Sequence, residues 1–124
     1  MWAQTMLDTQ FSGNGDLGIE VIFSDGAEVA LRGELDIAAA PALREQLSEV
    51  VTQGWIDIAI DIAELRYIDW PGLSVLVMAQ KAVEERGGSL VVRHPTKAAL
   101  KLFDTTGLTA RLISTGRADD LIRF

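Results

Sequence analysis

Residues 55–73, WIDIAIDIAELRYIDWPGL, join a strand to a helix and decide the fold. Residues 55–61 alternate in their middle and are rich in isoleucine, a β-branched residue, which predicts a central strand. After a short turn, Pro71 is placed to open a helix, because proline fixes φ and needs no backbone partner in the first helical turn. This helix is predicted to run to Arg86 and to end at the two glycines that follow.

The segments before this stretch predict a hairpin and a first helix. Residues 24–27 contain an Asp-Gly pair between two apolar runs, residues 19–23 and 29–31, and this arrangement is a strong signal for two antiparallel strands joined by a tight turn. Pro41 then opens a helix with apolar residues at helical spacing, and Gly54 is placed to end it in the left-handed conformation.

The segments after this stretch continue the alternation of strands and helices. Residues 89–93 predict a short buried strand, and residues 96–106 predict a helix that ends at Gly107. One more strand is predicted over residues 111–114, and a frayed last helix over residues 118–123.

This order of elements predicts the α/β fold class. Right-handed crossovers between successive strands give a mixed sheet with the helices packed mainly on one side. Residues 1–17 are predicted to form a flexible N-terminal extension, with room in it for an edge strand. Residues 18–124 are predicted to form a single domain, as the chain length of 124 residues suggests.

Charge argues against a nucleic-acid partner. The chain has a net charge of −7, and residues 1–40 hold seven acidic side chains against one base, Arg32, for a net of −6. Neutralisation of phosphates supplies most of the affinity for nucleic acids, so a protein of this charge is a poor binder of them. If charge guides a partner to the chain, that partner is expected to be basic.

The chain lacks the sequence features of membrane insertion and of secretion. No run approaches the roughly 18–20 apolar residues of a transmembrane helix, and the first residues lack the basic and apolar regions of a signal peptide. Without cysteine and with the single histidine His94, Cys-ligated and multi-histidine metal sites are excluded. We therefore expect a cytoplasmic protein with no metal and no other cofactor.

The second predicted helix carries apolar residues outside its predicted core face. On a helical wheel, the core face consists of Gly72, Val75, Leu76, Ala79, Ala82 and Val83. The opposite, solvated side contains Ser74, Gln80, Lys81, Glu84 and Glu85. Leu73 and Val77 fall among these polar residues, and Trp70 projects to the same side. The three residues predict an exposed stripe for a partner, unless the connecting loops or the N-terminal extension cover it.

Short motifs along the chain carry a resemblance to a known family. In order, they are Gly33-Glu34-Leu35-Asp36, Asp61, Leu65, Ile68-Asp69, Gly72-Leu73, Gly87-Gly88, Pro95 and Leu102-Phe103…Thr106-Gly107-Leu108. Together, over about residues 19–114, they resemble the STAS domain family and, more narrowly, bacterial anti-sigma factor antagonists. The resemblance implies a four- to five-stranded sheet with helices on one side.

The resemblance also implies partner switching rather than catalysis. In that family the unphosphorylated antagonist binds an anti-sigma factor of the ATPase-kinase type and thereby frees a sigma factor. The kinase then phosphorylates a serine or threonine at the start of the second helix and ends the binding. The expected partner-facing residues of this chain are Trp70, Leu73, Val77, Glu34, Asp36 and Asp69.

This chain departs from the family at the phospho-acceptor motif. The family has Asp-Ser-(Ser/Thr)-Gly-Leu, whereas this chain has Asp69-Trp70-Pro71-Gly72-Leu73. Trp70 and Pro71 have no hydroxyl, so we expect no phosphorylation at the usual site, and we expect Pro71 to start the helix without a cap from Trp70. Ser74 is the nearest hydroxyl on the same face and is a candidate displaced acceptor. Ala39 similarly replaces the threonine that often caps the first helix.

Other functions stay open at the level of sequence. The same family includes accessory subunits of membrane transport ATPases and modules that sense a small ligand or a nucleotide. Glu34, Asp36, Asp61 and Asp69 could in principle form a Mg²⁺ pocket, but as turn and cap residues they need no metal, and no catalytic base or nucleophile accompanies them. His94 is more simply a solvated loop residue than a pH sensor. The sequence does not determine the oligomeric state.

Overall fold

Five strands form one mixed sheet in the computed structural model, which describes residues 4–6 and 17–113. In sheet order, which is also chain order, the strands are β1 (Gln4–Met6), β2 (Leu17–Phe23), β3 (Ala27–Leu35), β4 (Asp57–Ile68) and β5 (Ser89–Arg93). The helices are α1 (Ala40–Thr52), α2 (Trp70–Glu84), α3 (Lys97–Thr106) and α4 (Thr109–Leu112). The predicted α/β fold class is confirmed.

The pairing of the strands combines a hairpin with two crossovers. β2 and β3 pair antiparallel across a turn in which the Ser24 N–H donates to the Gly26 carbonyl at 2.9 Å. β3 pairs with β4 and β4 with β5 in parallel, with α1 and α2 as the connections. β1 pairs antiparallel with β2 at the edge of the sheet. The N-terminal segment, residues 1–17, therefore contributes an edge strand, as the sequence analysis allowed.

One face of the sheet forms the core with the helices. Buried and exposed side chains alternate along β3, as expected for a strand with one packed face. The buried side chains of the strands include Ile19, Val21, Val29, Leu31, Ile58, Ile60, Leu90 and Val92, and the helices contribute Leu43, Leu47, Leu76, Val83 and Phe103. No helix in the described part of the chain is both long enough and apolar enough to span a bilayer.

Two helix ends match the predictions from glycine positions. Gly54, just after α1, and Gly107, just after α3, both have positive φ. At the second of these ends the Leu108 N–H donates to the Phe103 carbonyl at 2.7 Å, which satisfies a carbonyl that the helix leaves free.

Several boundary predictions need correction. Residues 109–112 form the short helix α4, so the strand predicted over residues 111–114 is wrong for the described part of that segment. β3 and β4 are longer than predicted and continue to Leu35 and Ile68. α2 begins one residue before Pro71 and ends at Glu84, two residues before the predicted end. The helix predicted over residues 118–123 lies outside the described residues.

The placement of Gln80 on the solvated face of α2 is also wrong. Its side chain is completely buried, and Nε2 donates to the Leu90 carbonyl at 2.9 Å and to the Arg111 carbonyl at 2.7 Å. The carboxamide therefore joins α2 to β5 and to α4. Conversely, Ala82, predicted on the core face, is exposed. A helical wheel of α2 contains no information about α4. This short helix lies against the side of α2 that the wheel predicts to be solvated, and its Arg111 carbonyl accepts the hydrogen bond from Gln80.

Replacement of Gln80 by methionine tests this link between elements. Met preserves the length of the side chain but leaves two carbonyls without their donor, so we expect Gln80→Met to lower the free energy of unfolding by about 1–3 kcal/mol. Urea denaturation followed by circular dichroism measures the change. Gln53→Met, at the exposed end of α1, is the matched control and should stay within about 0.5 kcal/mol of the parent protein. Equal effects of the two variants would show that the buried carboxamide contributes nothing.

Candidate functional site

The start of α2 lies against the ends of two parallel strands. β3 ends at Leu35 and β4 ends beside it at Ile68 in the strand register. The Asp69 N–H then donates to the Leu35 carbonyl at 3.3 Å, so the chain stays attached to β3 as it leaves the sheet. We call this corner of the molecule the helix mouth.

Asp69 caps α2. Its backbone is extended, its Oδ1 accepts a hydrogen bond from the Gly72 N–H at 3.1 Å, and its carbonyl accepts one from the Leu73 N–H at 2.9 Å. Trp70 is therefore the first helical residue and Pro71 the second. Trp70 supplies no cap, as the sequence indicates, and the carboxylate one residue earlier takes that role.

Gly72 allows α2 to approach β3 closely. A Cβ atom at this position would lie 2.4 Å from the Leu35 carbonyl oxygen and 2.6 Å from the Leu35 Cγ atom. Neither distance is sterically allowed, so a residue with a side chain would push the helix away from the strand. The glycine of the motif is thus a packing requirement of the helix mouth.

Three large apolar side chains are exposed at the helix mouth. The exposed fractions are 69% for Ile37, 50% for Tyr67 and 52% for Trp70. Ile37 follows β3, Tyr67 lies near the end of β4 and Trp70 begins α2, so all three belong to the same corner. We refer to Ile37, Tyr67 and Trp70 as the helix-mouth patch.

The predicted stripe of Trp70, Leu73 and Val77 is only partly correct. Trp70 is exposed as predicted, but Leu73 is completely buried and Val77 is partly buried against the core. The helical wheel placed the core face too narrowly, since the buried arc of α2 includes Leu73 and Gln80. Leu73 supports the helix mouth from inside and is not available to a partner.

The acidic residues at the helix mouth have structural partners as well. Asp36 Oδ1 accepts from the Ala39 N–H at 3.0 Å, and the Asp36 carbonyl accepts from the Ala40 N–H at 2.9 Å. Asp36 therefore prepares the start of α1, where Ala39 offers no side-chain cap. Glu34 lies 3.8 Å from the Arg66 guanidinium in an exposed ion pair. Exposed pairs of this kind contribute little to stability, so Glu34 remains available at the surface.

Asp61 does not join the other three carboxylates. It lies opposite Ala30 and Arg93 in the strand register, and Oδ1 is 3.2 Å from Nδ1 of the exposed His94. A hydrogen bond from the Ala63 N–H lowers the pKa of the Asp61 carboxyl; burial opposes this and His94 reinforces it. Among residues 17–113, no three His, Asp or Glu side chains come together as metal ligands. The four acids considered as a Mg²⁺ pocket are thus not one cluster.

Ser74, the candidate displaced acceptor, lies one turn into α2. Its Oγ donates a hydrogen bond to the Pro71 carbonyl at 2.8 Å, and the residue is half-buried. This bond within the helix is the ordinary role of a serine near a helix start. Ser74 therefore has a structural partner, whereas the indole of Trp70 faces solvent at the helix N-terminus.

The comparisons with known proteins identify the family. The family described as Mlab, STAS domain matches residues 22–114. The chain belongs to the STAS domain family, and the predicted resemblance is confirmed.

Its relatives are anti-sigma factor antagonists. The anti-sigma-B factor antagonist of Bacillus subtilis (strain 168) is 40% identical over 81 residues, which cover 65% of this chain and 73% of that protein. The corresponding protein of Staphylococcus epidermidis is 34% identical over 94 residues, covering 75% and 87%. The crystal structure of an anti-sigma factor antagonist from Mycobacterium paratuberculosis superimposes with a TM-score of 0.70 at 25% identity, covering 92% of this chain and 100% of that one.

Sequence reasoning missed two members of the helix-mouth patch. The sequence pattern leaves Ile37 between the predicted strand 29–31 and the helix that Pro41 opens, and it leaves Tyr67 in the turn before Pro71. Both lie within two residues of a sheet end that the motifs Gly33-Glu34-Leu35-Asp36 and Ile68-Asp69 mark. The sequence signal that could have identified them is an apolar residue directly beside a motif that marks the end of a strand.

A pair of substitutions at Asp69 tests the cap. Asp69→Ala removes the acceptor for the Gly72 N–H, and we expect it to lower the free energy of unfolding by about 1 kcal/mol. Asp69→Asn keeps a side-chain oxygen at the same place and should retain most of that stability. Thermal and urea denaturation of both variants measure the difference. An Asn variant as unstable as the Ala variant would contradict the cap and assign the effect to the lost charge.

Proposed function

We propose that this chain acts as an anti-sigma factor antagonist that binds a cytoplasmic anti-sigma factor of the ATPase-kinase type through the helix mouth. We further propose that phosphorylation does not end this binding at the site its family uses. The observation that carries the proposal is the exposed indole of Trp70 on the first residue of α2, where the resemblance to the family places the phospho-acceptor.

The composition of the helix-mouth patch supports binding of a protein. Tyrosine and tryptophan carry much of the binding energy in protein interfaces, because they bury a large rigid area and lose little conformational entropy. Half of each of these two side chains is exposed here. Glu34 lies at the edge of the patch, and the N-terminal third of the chain is strongly acidic. A partner with an apolar pocket and a basic rim fits this surface.

The side chains at the start of α2 support the proposed absence of phosphorylation at the site that the family uses. Neither the indole of Trp70 nor the pyrrolidine of Pro71 has an oxygen that accepts a phosphoryl group. The helix dipole would favour a phosphate at this point. What this chain lacks is therefore the acceptor hydroxyl and not a favourable electrostatic environment for the phosphate. The start of the helix survives the change because Asp69 caps it and Pro71 is compatible with the first turn.

The proposed surface is smaller than the predicted one and includes new residues. Trp70, Glu34, Asp36 and Asp69 remain, with Asp36 and Asp69 also holding the starts of α1 and α2. Ile37 and Tyr67 join them on the strength of their exposure. The chain is proposed to bind without catalysis and without a cofactor.

Alanine substitution of Trp70 tests the partner surface. We expect Trp70→Ala to weaken binding to the cognate anti-sigma factor at least about 30-fold, because a central aromatic anchor is worth about 2 kcal/mol or more. Met78→Ala is the matched control, since Met78 is 62% exposed on the same helix but outside the patch. Isothermal titration calorimetry measures both affinities. A Trp70 variant that binds like the Met78 variant would remove the helix mouth from the interface.

The second test restores the acceptor. Trp70→Ser combined with Pro71→Ser recreates the Asp-Ser-Ser-Gly-Leu pattern of the family. After incubation with the cognate kinase and Mg-ATP, mass spectrometry should show one added phosphoryl group on this double variant and none on the parent chain. A parent chain that gains phosphate would contradict the proposal, and Ser74→Ala would then show whether Ser74 is the acceptor.

A further inference from the structure

One face of the sheet carries no helix in the described part of the chain. Along β3 and β5, core side chains alternate with exposed or half-buried ones, and the latter lie on the face opposite the helices. We call this surface the open face. Parallel strands such as β3, β4 and β5 are in most proteins covered on both faces. The open face therefore keeps in water a surface that a second layer would bury.

A row of apolar side chains crosses the open face. Ile22, Ala59 and Val91 lie in one row of the strand register, on β2, β4 and β5, with Glu28 between them on β3. Ala30 lies in the next row of β3, and all four apolar side chains are half-buried. Because the two alanines project little from the sheet, they leave a flat strip on which another element of structure can rest.

Two acidic depressions adjoin this apolar row. One has a volume of about 300 Å³ and lies between the hairpin turn and the starts of β4 and β5. The other has a volume of about 190 Å³ and lies over the middle of β2, β3 and β4. Six acidic side chains and two arginines, Arg93 and Arg32, line the two depressions, for a net charge of −4. The six acids are Glu20, Asp25, Glu28, Asp57, Asp61 and Glu64.

Most of these acids have no cationic partner within the described residues. The four that form no ion pair there are Glu20, Asp25, Glu28 and Glu64. The Arg32 guanidinium lies against the backbone of β2, since a Cβ atom on Gly18 would be 2.9 Å from its Nη2 atom. It therefore neutralises none of the four by direct contact. The open face presents a negative charge that nothing in the described part of the chain compensates.

Charge and shape together select a basic amphipathic helix as the occupant. A helix is about 10 Å wide and four strands span about 15 Å, so one helix fits across the open face. Its apolar stripe would rest on the apolar row, and lysine or arginine side chains beside the stripe are long enough to reach the acids. The same charge repels nucleic acids and anionic membranes. A second copy of this chain would bring two faces of equal negative charge together.

We propose that the open face of the sheet binds a basic amphipathic helix of a partner protein. The helix lies over Ala30, Ala59 and Val91, and its cationic side chains enter the two acidic depressions. This surface is separate from the proposed function, because it shares no residue with the helix-mouth patch. No covalent step is involved.

Titration of the full chain against a model peptide tests the choice of occupant. The probe is a fluorescein-labelled amphipathic helix of leucine and lysine, roughly 18 residues long, and fluorescence anisotropy measures its binding. We expect a Kd on the order of 10 μM at about 50 mM salt, and at least about fivefold weaker binding at about 500 mM, because salt screens exposed charges. A peptide with glutamate in place of every lysine should not bind. Absence of saturable binding, or equal affinity for the acidic peptide, would overturn the proposal.

Two double variants of equal net charge test the location. Glu20→Lys combined with Glu28→Lys reverses charge on the open face and should weaken the lysine peptide at least about tenfold. Glu45→Lys combined with Glu85→Lys makes the same change among exposed residues of the helical layer and should stay within about threefold. If the first variant loses its circular dichroism spectrum, the corresponding glutamine pairs replace both variants. Equal losses in the two folded variants would show that only net charge matters and would overturn the proposal.

Chemical-shift mapping on the ¹⁵N-labelled chain shows which surface the peptide contacts. We expect the largest shifts at the backbone amides of Ala30, Ala59 and Val91, and small ones along α1 and α2. The largest shifts on α2 would overturn the proposal. A dimer of the parent chain by sedimentation, with the same three amides at its interface, would also overturn it, because a second copy would then be the occupant.

Discussion

The contact between Gly72 and the end of β3 is the constraint on which the helix mouth depends. The backbone of α2 approaches the Leu35 carbonyl so closely that no Cβ atom fits between them. This approach, together with the hydrogen bond from the Asp69 N–H to the same carbonyl, fixes the direction in which α2 leaves the sheet. Once that direction is set, Leu73 must enter the core and Trp70 must face solvent.

The residues that hold the start of α2 in place are therefore different from those that it exposes to solvent. Asp69, Gly72 and Leu73 hold the helix in place through a cap, a close approach and a buried side chain. Trp70 and Pro71 lie between them and take no part in the packing of the core. A change of side chain at Trp70 therefore alters the exposed surface and not the packing of the core.

Local chemistry made much of the fold predictable. The Asp-Gly turn of the hairpin and the glycines at the ends of α1 and α3 act within a few residues, and their predictions agree with the structure. Errors occurred where distant segments decide burial. Gln80 appeared polar on the helical wheel, but α4 covers it. For the candidate site, the motifs predicted this corner and the exposure of Trp70, whereas the exposure of Tyr67 and Ile37 beside it depends on how β3 and β4 end side by side.

The central claim is that the helix mouth binds an anti-sigma factor and that the kinase activity of this partner does not release it. The most direct measurement is the Kd of the complex before and after prolonged incubation with Mg-ATP and the active kinase. The account predicts values that agree within about twofold, because no acceptor hydroxyl lies at the start of α2. A Kd that rises about tenfold or more after incubation, with recovery of the first value on phosphatase treatment, would contradict it.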